Sequence, residues 1–349
     1  MQSVGRFRWA GIGLLCWGSA VMAGDAEALV ERMMTASRSL DYDGIFVYQR
    51  DGNLETLRVM HRGSSEPEKE RLESLNGPAR AVIRDGEKVT LRGSEDGAVL
   101  TGGPAARVAP NFNISGSLAE LAPSYHFQLL PGLDRVAGRE AQVVHVKPRS
   151  GDRYAYKLWI DRETALLLKS VILDAQERAL EQEQFATVDI GVALADEVFA
   201  TASASEQALP PAARQGNQPG SAASDAPNGV ACQSPPCPAM APPVTALDWQ
   251  VGWLPSGFTR HGEHAAAATP TGGPAPHFVY SDGLATVAVF VERLPDETAP
   301  LQGFTFVGAV STFSRVSAEH QITVIGELPQ ATVRKIALSI APKAPTGQH

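Results

Sequence analysis

Two periodicities divide the chain. Residues 25–38 set Leu29, Val30, Met33, Met34 and Ser37 at helical spacing, which paints one apolar stripe for docking on a sheet. Asp25 offers that helix an N-cap and a favourable charge at the positive end of its dipole. Short runs of β-formers follow near 43–50, 54–62, 69–75, 80–84, 88–92, 97–101, 136–147, 153–160, 166–174 and 178–189. Asp51-Gly52-Asn53 separates the first two, and an Asp-Gly pair supplies the positive φ angles of a tight hairpin turn. Asp85-Gly86, Asp96-Gly97 and Asp161-Arg162-Glu163-Thr164 mark further turns. A short helix near 116–122, with Ser117 as its cap, interrupts the strands. Consecutive strands with tight turns predict an antiparallel meander. A sheet of about ten twisted strands tends to curl, leaving a concave face for the helices.

From 200 to 246 the periodicity stops. Ala, Pro, Ser, Gly and Gln dominate, the only charges are Glu206, Arg214 and Asp225, and the segment reads as a linker. A flexible chain of that length spans roughly 35–40 Å, so it joins two domains, 24–199 and 247–342, without fixing their orientation. The second begins with the aromatic cluster LDWQVGWLPSGF. A hairpin with Asp282-Gly283 in its turn, strands at 304–314 and 320–326, and a helix opened by Pro329 complete it. Val333, Ile336, Ala337 and Ile340 form that helix's apolar face. The fold class expected is α+β and mostly antiparallel, with a large curved sheet and a small α+β domain.

The N-terminus changes the compartment. Arg6 and Arg8 precede the apolar run from Trp9 to Val21, and Val21-Met22-Ala23 ends it with a small residue. This order predicts a secretory signal peptide, 1–23, cleaved after Ala23. The run is short of the roughly 20 residues of a spanning helix. Leu15 stands where a lipoprotein site at Cys16 needs a small residue. In an oxidising compartment Cys232 and Cys237, in CQSPPC, are candidates for a small disulfide loop. Zinc is the rival, but no second Cys or His pair lies near them in sequence. The net charge of −8 and the lack of a basic run argue against nucleic acid as a partner.

Catalytic motifs are missing: no H-E-x-x-H, G-x-S-x-G, P-loop or dinucleotide fingerprint occurs. His261 and His264 stand three apart in a Gly/Ala-rich segment that reads as a loop, with only Glu263 beside them, a poor metal set. His145 reads as a satisfied core or edge histidine. The acidic runs around Glu66–Glu73 and Glu177–Glu183 read as solvated faces. No nucleophile has an orienting base, so a non-enzymatic role without cofactor is expected. A curved sheet under helices can instead enclose an apolar cavity, where each buried methylene is worth about 0.8 kcal/mol. Candidate lining residues are Ile45, Val47, Leu57, Val59, Val144, Val146, Leu158 and Leu167, though the same residues would equally serve as core beneath the first helix.

Several segments, in order, resemble the MucB/RseB family: SLDYDGIFVYQRDG, ERLESLNGPAR, VAGREAQVVHVKPRSGDRYAYKLWIDRETALLLKSVILD, GWLPSGF, VYSDGLATVAVFVE and ITVIGELPQATVRKIA. The V-A-G-R…L-W-I-D-R-E-T block is also similar to the lipoprotein carriers LolA and LolB. The resemblance implies a LolA-like half-barrel with helices on its concave side. It also implies a periplasmic protein that binds the periplasmic domain of an RseA/MucA-type anti-sigma factor and shields it from proteolysis. Lipopolysaccharide or acyl-lipid signals would weaken that grip. Trp249, Trp253, Phe258 and Tyr280 are candidates for the partner surface, since aromatics anchor interfaces; the core of the small domain is their other use. Homo-oligomerisation is left open, and a periplasmic lipid carrier of the LolA type is the alternative. The linker, proline-rich and carrying CQSPPC, is longer than the family leads one to expect.

Overall fold

The computed structural model describes residues 23–64, 66–86, 88–92, 99–102, 114, 116–200, 249–265, 276–294 and 299–343. The expected leader, the linker with Cys232 and Cys237, and the Asp96-Gly97 turn lie outside them.

The large domain opens with α1 (Ala23–Ser39), where Asp25 sits in the first turn rather than capping it. Six strands follow: β1 (Asp41–Arg50), β2 (Asn53–Arg62), β3 (Lys69–Ser74), β4 (Ala81–Asp85), β5 (Lys88–Arg92) and β6 (Val99–Gly102). After α2 (Leu118–Leu121) come β7 (Tyr125–Leu129), β8 (Asp134–Val136), β9 (Arg139–Pro148), β10 (Ala155–Asp161), β11 (Leu167–Leu173), β12 (Ala179–Ile190) and the short α3 (Asp196–Phe199). The β1–β2 turn carries Asp51 at φ 48° and Gly52 at φ 76°, the positive pair the Asp-Gly motif supplies. Glu120 reaches back to accept from the backbone N–H of Ser117 at 3.0 Å, holding the start of α2.

All neighbours in the sheet are antiparallel, in the order β6-β5-β4-β3-β2-β1-β12-β11-β10-β9-β7, with β8 also on β9. The expected single meander is therefore two, joined where β1 pairs with β12. One apolar cluster sits between α1 and the β7–β11 half, built on Val30, Met33, Leu121, Phe127, Leu158 and Ile160. A second gathers Tyr42, Phe46, Val59, Leu72, Leu168 and Phe185 where the two meanders meet.

The small domain is a six-stranded antiparallel sheet under one helix. Its elements are β13 (Trp249–Val251), β14 (Thr259–Ala265), β15 (Pro276–Ser281), β16 (Thr286–Arg293), β17 (Gly303–Val307), β18 (Val310–Ser317), β19 (His320–Gly326), α4 (Gln330–Ser339) and β20 (Ile340–Pro342). The sheet order is β14-β15-β16-β19-β18-β17, while β13 pairs with β20. The strand expected at 304–314 is a hairpin, because Gly308 at φ 59° reverses the chain. The stretch holding His261 is an edge strand, β14, and not a loop. Pro329 precedes α4 as its cap, and Val333, Ile336 and Ala337 seat the helix on the β16–β19 core.

Candidate functional site

The eight positions expected to line a cavity divide in three. Val144, Val146, Leu158 and Leu167 belong to the cluster that α1 closes with Ala26, Val30, Met33 and Ala36. Val59 is wholly buried in the second cluster, and Leu57 packs against it. Ile45 and Val47 are only half-buried and stand opposite Arg58 and Thr56, whereas Leu57 and Val59 stand opposite Phe46 and Gly44. Directly opposed residues share a face, so Ile45 and Val47 point away from the other two. The alternation of β1 gives its inward positions to Tyr42 and Phe46 instead, and the eight do not form one lining.

Two further readings need correction. Glu70, Glu181 and Glu183 are buried, so the acidic runs are not wholly solvated faces. Strand alternation turns Glu181 and Glu183 inward, where Tyr48 Oη donates to Glu181 at 2.5 Å and Ser170 Oγ to Glu183 at 2.9 Å. His145 is buried, but its Nε2 has no hydrogen-bond partner among the described residues. Burial and the nearby Lys147 and Lys157 push its pKa down to about 4, so it stays neutral. His261 is exposed, and among the described residues no group of three His, Cys, Asp or Glu side chains is placed to hold a metal ion.

The four aromatics of the small domain, Trp249, Trp253, Phe258 and Tyr280, are half-buried and pack against its core. Lys335 Nζ lies 3.6 Å over the ring of Trp253, and Trp249 meets His320 at 5.1 Å between centroids. Phe258 has a different neighbour. The guanidinium of Arg153, from the large domain, lies 5.1 Å from its centroid.

That arginine marks the seam between the domains. Arg153 Nε donates to Asp282 Oδ2 at 2.6 Å, with the two side chains 2% and 1% exposed. A second guanidinium nitrogen donates to the Ser256 carbonyl. Tyr125 Oη donates to Asp282 Oδ2 at 3.3 Å, and burial beside that carboxylate drives its pKa well above the ordinary tyrosine value. The other oxygen, Oδ1, accepts from the N–H groups of Leu284 and Ala285 and so builds the β15–β16 turn. Around the pair, Tyr154 Oη donates to the Leu328 carbonyl at 3.2 Å and Thr332 Oγ1 to the Asp152 carbonyl at 3.1 Å. Leu284 packs into the cluster beneath α1.

A second contact joins the domains through the β17–β18 turn. The Gly308 N–H donates to Asp51 Oδ2 at 2.6 Å and the Ala309 N–H to Glu181 Oε1 at 2.8 Å. Glu327, which precedes α4, is half-buried near Glu181 and Glu183, and its pKa is pushed up to about 7 by desolvation first and then by those two carboxylates. Sequence reasoning read Asp282 only as a turn residue and gave Arg153 no role. The partners lie 129 residues apart, and no local pattern announces the pair.

The sequence pattern of the MucB/RseB N-terminal domain matches residues 25–212, and that of the MucB/RseB C-terminal domain matches 243–341. The sigma factor AlgU regulatory protein MucB of Pseudomonas aeruginosa is 30% identical over 340 residues, covering 95% of this chain and 96% of that protein. Among solved structures, the Pseudomonas aeruginosa MucA/MucB complex superposes at a TM-score of 0.67 with 29% identity, over 92% of this chain and 99% of that one. A second structure, described as MucB in complex with the periplasmic part of MucA, gives 0.65 with 28% identity, over 92% of this chain and 100% of that one. One described as MucB gives 0.59 with 29% identity, over 92% of this chain and 98% of that one. Both of its domains, in family order, place the chain in the MucB/RseB family.

Proposed function

We propose that the exported chain is a periplasmic negative regulator of a sigma-E type sigma factor. In this reading it binds the periplasmic domain of an RseA/MucA-type anti-sigma factor and shields it from regulated proteolysis. It loosens its hold when a lipid or lipopolysaccharide signal arrives. The observation that carries the reading is the pair of family domains matched end to end and joined by a buried seam. The exposed edges of Trp249, Trp253 and Tyr280 are the first surface to examine for the partner, since Phe258 already packs against Arg153.

The lipid arm follows linkage. A lipid weakens the complex only to the extent that it prefers the unbound protein, and a tenfold loosening needs about 1.4 kcal/mol of coupling. Val144, Val146, Leu158 and Leu167 are occupied by contacts under α1, so an acyl chain entering there displaces side chains of that helix. Calorimetric titration of the mature protein with the periplasmic domain of its host's anti-sigma factor, with and without lipid A, tests both arms. Binding that weakens with lipid upholds the reading. Lipid binding without partner binding replaces it with a carrier of the LolA type.

A further inference from the structure

The seam is polar where two covalently tethered domains have every chance to bury an apolar contact. Asp282 spends one oxygen on its own turn and presents the other, at 2.6 Å, to an arginine of the other domain. Arg153 answers with its Nε, its contact to Ser256 and its stacking over Phe258 and Tyr125. Neither charge reaches water in this arrangement. If the domains part, both regain hydration at once. A buried ion pair therefore adds little net stability, yet it tolerates no intermediate, because a half-open seam leaves a dry, unpaired charge. Such a contact is suited to an all-or-none, reversible joint. The linker between the domains is long enough to permit one.

A partner that spans both domains meets one continuous surface only while this seam is closed.

We infer that the Arg153–Asp282 pair is a latch, and that the latched arrangement of the two domains is the form that receives the anti-sigma segment. The second half rests on the function proposed above; the first does not. The β17–β18 turn gives a reporter remote from the latch, because the Gly308 and Ala309 amides are held only by Asp51 and Glu181 of the large domain among the contacts described.

Two measurements on the full mature protein decide the matter. The first is amide hydrogen exchange at Gly308 and Ala309, together with the radius of gyration from solution scattering. The second is titration with a MucA-type periplasmic domain. D282N keeps the turn acceptor and removes the charge. The latch requires it to speed exchange at these two amides at least tenfold and to enlarge the radius of gyration, with the exchange of α4 and β9 unchanged. R153Q, which leaves the small domain's sequence intact, behaves alike and guards against a locally misfolded turn. Partner affinity falls tenfold or more in both. Unchanged exchange at Gly308 and Ala309 overturns the latch. Accelerated exchange with unchanged affinity overturns its link to the partner. Wild-type protein that does not bind the periplasmic domain sinks the proposed function while the exchange data still judge the latch.

Discussion

Two bodies pack on the large domain, and they do so by opposite chemistry. Helix α1 is held by a dry cluster in which Val30, Leu121, Leu158 and Ile160 are fully buried. The small domain is held by an ion pair, hydroxyl-to-carbonyl bonds and two backbone amides on carboxylates, with Leu284 as the main apolar insertion. Apolar burial favours the closed state in proportion to area and is lost gradually. A dry polar seam instead depends on complete pairing, so it opens as a unit. The helix is therefore part of the fold, while the small domain is a docked body.

The sharpest break in this contrast is Leu158→Ala. Truncating a fully buried leucine costs about 3–4 kcal/mol through lost transfer energy and a residual cavity. The loss should appear in the melting of the large domain, with the small domain's own transition unmoved. Differential scanning calorimetry checks it, and a single shared drop in both transitions would mean the seam couples the domains more tightly than argued.

Legibility in the sequence followed the same divide. Period and turn chemistry located α1, the Asp51-Gly52, Asp85-Gly86 and Asp282-Gly283 hairpins and most strands, since these depend on neighbours in the chain. They failed where a distant partner decides the face. Ile45 and Val47 look as apolar as Leu57 and Val59, and only the β1–β2 register shows them on the opposite side. The stretch 304–314 reads as one strand because Gly308 has no Asp or Asn beside it to announce a turn. Glu181 and Glu183 read as surface because their donors, Tyr48, Ser170 and Ala309, come from other strands and another domain. The seam itself was invisible, being written in single residues on two domains.

Acidity should act on the seam and spare the core. Glu327, with Glu181 and Glu183 of β12 as its neighbouring carboxylates and the hydroxyl of Tyr156 also within its field, titrates near 7 instead of near 4.5. A raised carboxyl means the docked state holds the proton more tightly. Its contribution is thus fully present below about pH 4.5 and lost as pH rises through about 7. The whole excursion is worth about 3 kcal/mol at most. Exchange protection at Ala309 should decline between pH 5 and 8 (roughly the window set by linkage) and become flat in Glu327→Gln. A decline that survives that substitution assigns the proton elsewhere.

A double-mutant cycle sharpens the comparison from the other side. Arg153→Met beside Asp282→Asn removes both charges and keeps the turn acceptor. If stranded charge is what the single variants suffer, the double variant docks better than Asp282→Asn alone, with a coupling of about 2 kcal/mol. Additive losses would make the seam an ordinary set of independent contacts.

The smallest expected effect tests how the seam's weight is shared. Tyr48 Oη donates to Glu181 Oε2 at 2.5 Å, while Oε1 of the same carboxylate takes the Ala309 N–H. Tyr48→Phe removes one donor from a buried carboxylate and leaves the other in place. A hydrogen bond to a charged acceptor is worth about 1.5–3 kcal/mol, and Tyr48 is only half-buried, so water takes over part of its role and about 1 kcal/mol remains. Part of that falls on the large domain's own sheet, since Tyr48 and Glu181 sit on the neighbouring strands β1 and β12. Exchange at Ala309 should therefore accelerate less than fivefold, well short of Asp282→Asn. If the two variants prove equal, Glu181 anchors the small domain as firmly as Asp282 does, and the seam closes at two points of comparable strength.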